Sequence, residues 1–83
     1  MATYSKVYTK RDISLKQGLW VDEYGTPVSG IKKSFYNNGT VQDETTIENG
    51  VYNGIQRVYD QTGHLWWENT WKDNVIVKYK KFS

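Results

Sequence analysis

The chain has 83 residues, the size of one small domain that buries only about 60–65% of its unfolded surface. It contains no cysteine, which excludes disulfides, thiolate zinc sites and a thiol nucleophile. Its net charge of +2 is too small to imply nucleic-acid binding by itself. Hydrophobic residues make up 37% of the chain and aromatic residues 16%. Aromatic side chains bury about 150–250 Å² each, so they can replace many aliphatic ones in a core.

In chain order, residues 1–17 carry the weakest pattern. Tyr4, Lys6 and Tyr8 alternate with Ser5, Val7 and Thr9, which permits a strand, and Ile13 with Leu15 permits another short one. The Met-Ala-Thr-Tyr-Ser-Lys start has no apolar run of a secretory signal. Nowhere are there the ~18 consecutive apolar residues of a membrane span. A cytoplasmic protein with no membrane contact is the expectation. Gly18 precedes Leu19 to Tyr24, whose apolar and aromatic content predicts a strand. Gly25-Thr-Pro-Val-Ser-Gly30 follows as a turn or edge connection, because Pro27 has no amide hydrogen to donate.

From Gly30 the chain says the same thing twice. Gly30-Ile-Lys-Lys-Ser-Phe-Tyr-Asn-Asn-Gly39 is repeated 24 residues later as Gly54-Ile-Gln-Arg-Val-Tyr-Asp-Gln-Thr-Gly63. The offset continues through Val41 and Leu65, Glu44 and Glu68, Ile47 and Trp71, and Val51 and Val75. Self-similarity at a fixed period marks a repeat architecture. Ile31–Tyr36 reads as a strand, Asn37-Asn38-Gly39 as a hairpin turn, and Thr40–Glu48 as the return. Asn-Gly is a strong hairpin signal because both residues accept positive φ, and Asn49-Gly50 supplies a second one. Ile55–Tyr59, the Asp60–Gly63 turn, Leu65–Trp71, the Asp73-Asn74 turn and Val75–Lys80 complete the series. Helical spacing is absent. The predicted fold class is all-β, an antiparallel β-meander of about six or seven strands in a single domain built on two 24-residue repeats.

Odd positions collect Ile31, Phe35, Val41, Ile47, Ile55, Tyr59, Leu65, Trp67 and Trp71, and even positions collect polar residues such as Lys32, Gln42, Glu44, Gln56 and Glu68. Strand side chains alternate faces, so the odd set is expected to form one apolar face. Its cover is curling of the sheet, residues 1–24, or a second molecule.

The repeat resembles the bacterial MORN-repeat variants described as antitoxin components of toxin–antitoxin modules. The residues that carry it are Gly30, Phe35, Tyr36, Asn38, Gly39, Glu44, Glu48, Asn49, Gly50 and Gly54 in the first copy. Gly54, Tyr59, Gly63, Leu65, Glu68, Trp71, Asp73 and Asn74 carry it in the second. The match spans residues 24–77, with residues 1–23 before it and a basic end, 78–83, after it. Ile47 stands where the pattern has an aromatic, and Asn74 where it has a turn glycine. The resemblance implies a recognition scaffold rather than an enzyme.

Trp66 is the first candidate for a binding residue. It falls on the even face, and its repeat counterpart is the polar Gln42; exposed Trp and Tyr are enriched in hot spots. Tyr36 and Val58 share that face, Trp20 can join from the preceding strand, and Tyr52 is a weaker addition. The bland alternative is that residues 1–17 bury Trp66. Glu44 and Glu68 lie two strand spacings apart, roughly 10 Å, too far to share a proton and slightly beyond the ~6.5–9.5 Å of an inverting glycosidase pair. They read as glutamates of a solvated sheet face. His64, the only histidine, follows Gly63 as a turn residue, so a metal site has too few ligands. No cofactor is expected, and no catalytic constellation appears.

Lysines cluster near both ends. Lys78, Tyr79, Lys80, Lys81 and Phe82 interleave charge with aromatic rings, which suits stacking on single-stranded nucleic acid. Such lysines also protect an edge strand from pairing, the reading favoured at this point. The functional expectation is a non-catalytic protein-binding module, an antitoxin- or immunity-like inhibitor of a toxin, effector or defence protein. A phage or mobile-element inhibitor of a host defence protein would use the same physics. Nucleic-acid binding is the second hypothesis, and a homodimer is a further option.

Overall fold

The computed structural model describes residues 6–82. These form eight strands and no helix: β1 (Val7–Tyr8), β2 (Ser14–Lys16), β3 (Leu19–Val21), β4 (Gly30–Phe35), β5 (Val41–Glu48), β6 (Val51–Tyr59), β7 (Leu65–Lys72) and β8 (Val75–Lys81). The chain is all-β. Strands β4 to β8 make an antiparallel meander, β1 adds to its β4 edge in parallel, and β2 with β3 forms a separate hairpin. Tyr4 and Ser5 of the expected first strand lie outside the described residues. Among the described residues no helix is long and apolar enough to cross a membrane.

Turn chemistry explains the strand boundaries. Asn49 and Gly50 adopt φ of 50° and 86°, and Asp73 and Asn74 adopt 49° and 67°. Positive φ at two successive residues is the twist-matched hairpin turn that Asn, Asp and Gly tolerate. Because the Asn49-Gly50 turn is this tight, β6 begins at Val51 and runs through Gly54, four residues earlier than the sequence pattern predicts.

The single odd-numbered apolar face is overturned by the register. Ile31 lies opposite Thr46, Thr45 opposite Gln56, and Gln56 opposite Asn69, so each hairpin places odd residues of one strand beside even residues of the next. Facing partners share a side of the sheet. Ile47, Trp67 and Trp71 therefore share one face with Lys32, Thr45, Tyr52, Gln56 and Val58. Ile31, Phe35, Val41, Ile55, Tyr59 and Leu65 belong to the other. Phe35 is 49% exposed and Ile55 37%, values of a half-solvated surface rather than a core.

Of the three covers considered, the N-terminal part of the chain is the one observed. Ile13, Val28 and Ile47 form the buried cluster, with Tyr8, Trp20 and Tyr52 packed against it. Trp20 stacks on Tyr52 at 6.1 Å, and Tyr52 meets Trp71 edge-on at 5.0 Å. Backbone bonds from Trp20 N to Gly50 O and from Gly50 N to Val28 O tie the cover to the turn. At Gly30 a Cβ would sit 2.6 Å from the Lys6 carbonyl oxygen and 2.8 Å from the Tyr8 ring, which is why the residue entering β4 is a glycine.

The covered face also holds polar groups, which bond one another except at Asp43 Oδ1, a buried oxygen without a partner. Gln56 Nε2 donates to Thr45 Oγ1 at 2.9 Å, while Gln56 Oε1 accepts from Asn69 Nδ2 and Trp71 Nε1, each at 2.9 Å. Thr45 is fully buried, so this network fixes the register of three strands as well as satisfying its members.

Candidate functional site

The 24-residue repeat is visible in the geometry of the open face. Lys33 pairs with Glu44, and Arg57, 24 positions after Lys33, pairs with Glu68, both at 3.3 Å. Tyr59 Oη donates to Glu44 Oε1 at 2.7 Å. That phenol bond is the main reason the Glu44 pKa lies below its usual 4.5, helped by Lys33 and Arg57 and opposed by burial. Glu44 and Glu68 both face Arg57 across β6, so the two carboxylates belong to a charge ladder spanning four strands. His64 belongs to a turn, as the sequence implies: Asp60 accepts from the backbone amides of Thr62 and His64, and Thr62 Oγ1 lies 2.7 Å from His64 Nδ1. Among the described residues no group of three His, Cys, Asp or Glu side chains is placed to hold a metal ion.

The Glu44–Tyr59 bond makes a pH prediction. A carboxylate with a depressed folded-state pKa contributes stability above its unfolded value and loses it as pH falls through the folded value. Below about pH 4.5 the protein should therefore lose stability that Glu44→Gln never had. Thermal melts are expected to place the variant below the parent at pH 7, with the gap narrowing as pH falls below 4.5. An unchanged gap would remove Glu44 as the titrating group.

The repeat breaks at Trp66. Both β4–β5 and β6–β7 carry a bulge near the turn, where Val41 and Asp43 pair while Gln42 does not, and where Leu65 and Trp67 pair while Trp66 does not. Successive residues of a regular strand point to opposite faces; a bulge re-aims a side chain. The Trp66 and Trp67 ring centroids are 6.2 Å apart, which places both rings on one side. Trp66 thus departs from the regular alternation of faces, and it remains 43% exposed.

Around Trp66 the C-terminal strand completes a surface. Tyr79 lies 6.1 Å from Trp67 and is 68% exposed. Lys81 Nζ sits 5.4 Å over the Trp67 ring and Lys80 Nζ 5.0 Å over Phe82. The Phe82 amide donates to the Trp66 carbonyl at 2.7 Å, holding the chain end beside the bulge. A shallow cleft there is lined by Asp60, His64, Leu65, Trp66 and Phe82.

The sequence-derived candidates divide. Trp66 comes together with Lys80, Lys81 and Phe82, and Val58 is near as the cross-strand partner of Trp67. Trp20 and Tyr52 instead pack on the core, and burial pushes the Tyr52 phenol pKa up. Tyr36 Oη donates to the Tyr59 carbonyl at 2.6 Å, while the neighbouring turns are joined by Asn38 Nδ2 donating to Gln61 O. Lys78, opposite Thr70, shares a face of β8 with Lys80 but lies further from the chain end that holds Phe82 beside Trp66. Trp67 is the member that sequence reasoning missed, and Tyr79, expected only as part of the interleaved C-terminal stretch, joins it here. Trp67 was assigned to the core by its parity, whereas the N-terminal cover packs at the Ile47–Trp71 end of its face.

Comparisons with family models, with curated proteins and with solved structures each found no match.

Proposed function

We propose that the chain is a non-catalytic protein-binding module, an antitoxin- or immunity-like inhibitor that masks the surface of a toxin, effector or defence protein in the cytoplasm. The observation that carries this reading is the cluster of exposed Trp66 and Tyr79 with half-buried Trp67 and Phe82, beside Lys80 and Lys81, at one end of the sheet. Trp and Tyr are enriched in interface hot spots, and cations over aromatic faces add a modest attraction. The paired ladders and paired bulges, 24 residues apart, support the MORN-like reading of the scaffold. In that reading the repeat is the frame, and Trp66 and Trp67, which stand where the first copy has Gln42 and Asp43, are the contact.

The interleaved lysines and rings support nucleic-acid binding as the second reading. The protein reading is preferred because Lys81 lies over Trp67 and Lys80 over Phe82, which leaves two of the four rings with one face already occupied against a stacking base.

Capture of partners on the immobilised chain, followed by titration of the partner recovered, tests the proposal. Trp66→Ala is expected to weaken binding by about 2 kcal/mol or more, roughly 30-fold, with little change in the melting temperature. Unchanged affinity would remove Trp66 from the interface. A steep fall in affinity with salt, as phosphate contacts release counterions, would instead favour nucleic acid.

A further inference from the structure

Strand β8 ends the sheet, with β7 on one side and no strand on the other among the described residues. Every residue from Val75 to Lys81 is exposed. The Phe82 amide points inward to the Trp66 carbonyl. Backbone groups of an antiparallel strand alternate sides, so the amides and carbonyls of Tyr79 and Lys81 point to the open edge. An edge of this kind is a template for another strand. The extra residue Val77, at the register shift between Thr70 and Trp71, ends the regular edge on its N-terminal side. The usable template is therefore the stretch that carries the lysines.

Charge identifies the occupant. Lys78, Lys80 and Lys81 have no carboxylate within ion-pair distance among the described residues, because Glu68, which faces Lys80 across the ladder, is taken by Arg57. A second copy of the chain would bring its own lysines to the same seam, and like charges set opposite one another destabilise a strand pair. An acidic strand would meet complementary charge. Lys78 and Lys80 lie on one face of β8 and Tyr79 and Lys81 on the other. The fitting partner thus carries acidic residues at every second position, with apolar residues between them to lie beside Tyr79 and the Lys81 stem.

We propose that β8 accepts an extended acidic segment of a partner protein by strand addition, through the open backbone groups of Tyr79 and Lys81 with Lys78 and Lys80 reading its charge. This rests on the protein-binding reading above and specifies how the partner engages. Edge protection and partner recognition are then the same feature: the lysines that repel a second copy select an acidic strand.

The probe is the blocked peptide acetyl-Thr-Glu-Val-Glu-Val-Glu-Thr-amide, titrated into the full chain and followed by amide chemical shifts. The expected result is protection of the Tyr79 and Lys81 amides from exchange, and no binding by the same peptide with lysine in place of glutamate. Two further peptides, N-methylated at the valines or at the glutamates, separate backbone from side-chain recognition. Strand addition predicts that one frame loses at least tenfold in affinity while the other is tolerated; equal affinity of both frames overturns it. Tyr79→Pro, which removes an edge-facing amide, should weaken binding at least tenfold beyond Tyr79→Ala, and no difference between a folded pair would overturn the proposal. If Trp66→Ala releases the captured partner but N-methylation has no effect in either frame, strand addition fails and the protein-binding reading stands. If a single-stranded oligothymidine binds and the acidic peptide does not, both fail. A dimer in sedimentation with the same two amides protected would overturn the proposal in favour of a second copy.

Discussion

Ile47→Ala is expected to lower the free energy of unfolding by about 3–4 kcal/mol, the largest effect of any single truncation considered for this chain. Ile47 has no exposed surface, and it packs with Ile13 and Val28 where the N-terminal cover meets the sheet. Removing its outer carbons loses about 0.8 kcal/mol per methylene in transfer energy, and the cavity left behind adds to that. An 83-residue domain has a total stability of roughly 4–12 kcal/mol, so the variant should be marginal. Urea unfolding followed by tryptophan fluorescence measures it, with Ile55→Ala as the comparison. Ile55 is 37% exposed on the open face and should cost under about 1.5 kcal/mol. A larger loss at Ile55 than at Ile47 would reverse the assignment of the two faces.

Trp71→Ala should cost about 3 kcal/mol, at the lower end of the range for large aromatic truncations because Trp71 is only half-buried. Its ring meets Tyr52 edge-on at 5.0 Å, and its indole N–H donates to Gln56 Oε1 at 2.9 Å. The two contributions can be separated. Trp71→Phe keeps an aromatic ring against Tyr52 and removes the donor, and it should cost about 1 kcal/mol, the net worth of one hydrogen bond. Thermal melts of the two variants test this: similar losses would mean that the hydrogen bond, not the ring, dominates at this position. Ile47 and Trp71 both contact the layer around Tyr52, so their double variant should depart from additivity by more than about 0.5 kcal/mol.

Trp71 also shows how a correct residue assignment can follow from an incorrect face. Its odd number placed it with Ile31 and Phe35, whereas in the structure it shares a face with Ile47 and they do not. An error of this kind comes from register, which depends on how the turns and bulges count residues between facing strands. Gln42 and Trp66 are each the extra residue of a bulge, and no alternation of polar and apolar side chains announces that. Trp66 was nevertheless legible as a departure, because its repeat counterpart is a polar glutamine. Its neighbour Trp67 departs from its own counterpart, Asp43, just as clearly, but its odd number set it with the core, while Tyr79 reaches Trp67 only across the β7–β8 pair.

The roles of Trp20 and Tyr52 were similarly out of reach. Both are aromatic residues of the kind that populates interfaces, and nothing local distinguishes an anchor from a core ring. Their burial depends on residues 7–28 folding back over the sheet, a contact between segments distant in sequence. The strands of the meander needed no such contact. Asn49-Gly50 and Asp73-Asn74 adopt positive φ for reasons internal to the dipeptides, and the strands between the turns follow. The sequence alone therefore determined the all-β class, the 24-residue period and the positions of the hairpins, all properties of neighbouring residues. Only the tertiary structure decided which face is covered, which tryptophans are core, and that Trp66 and the lysines of β8 share one edge. Those outcomes depend on register and on long-range packing, which local preference does not encode.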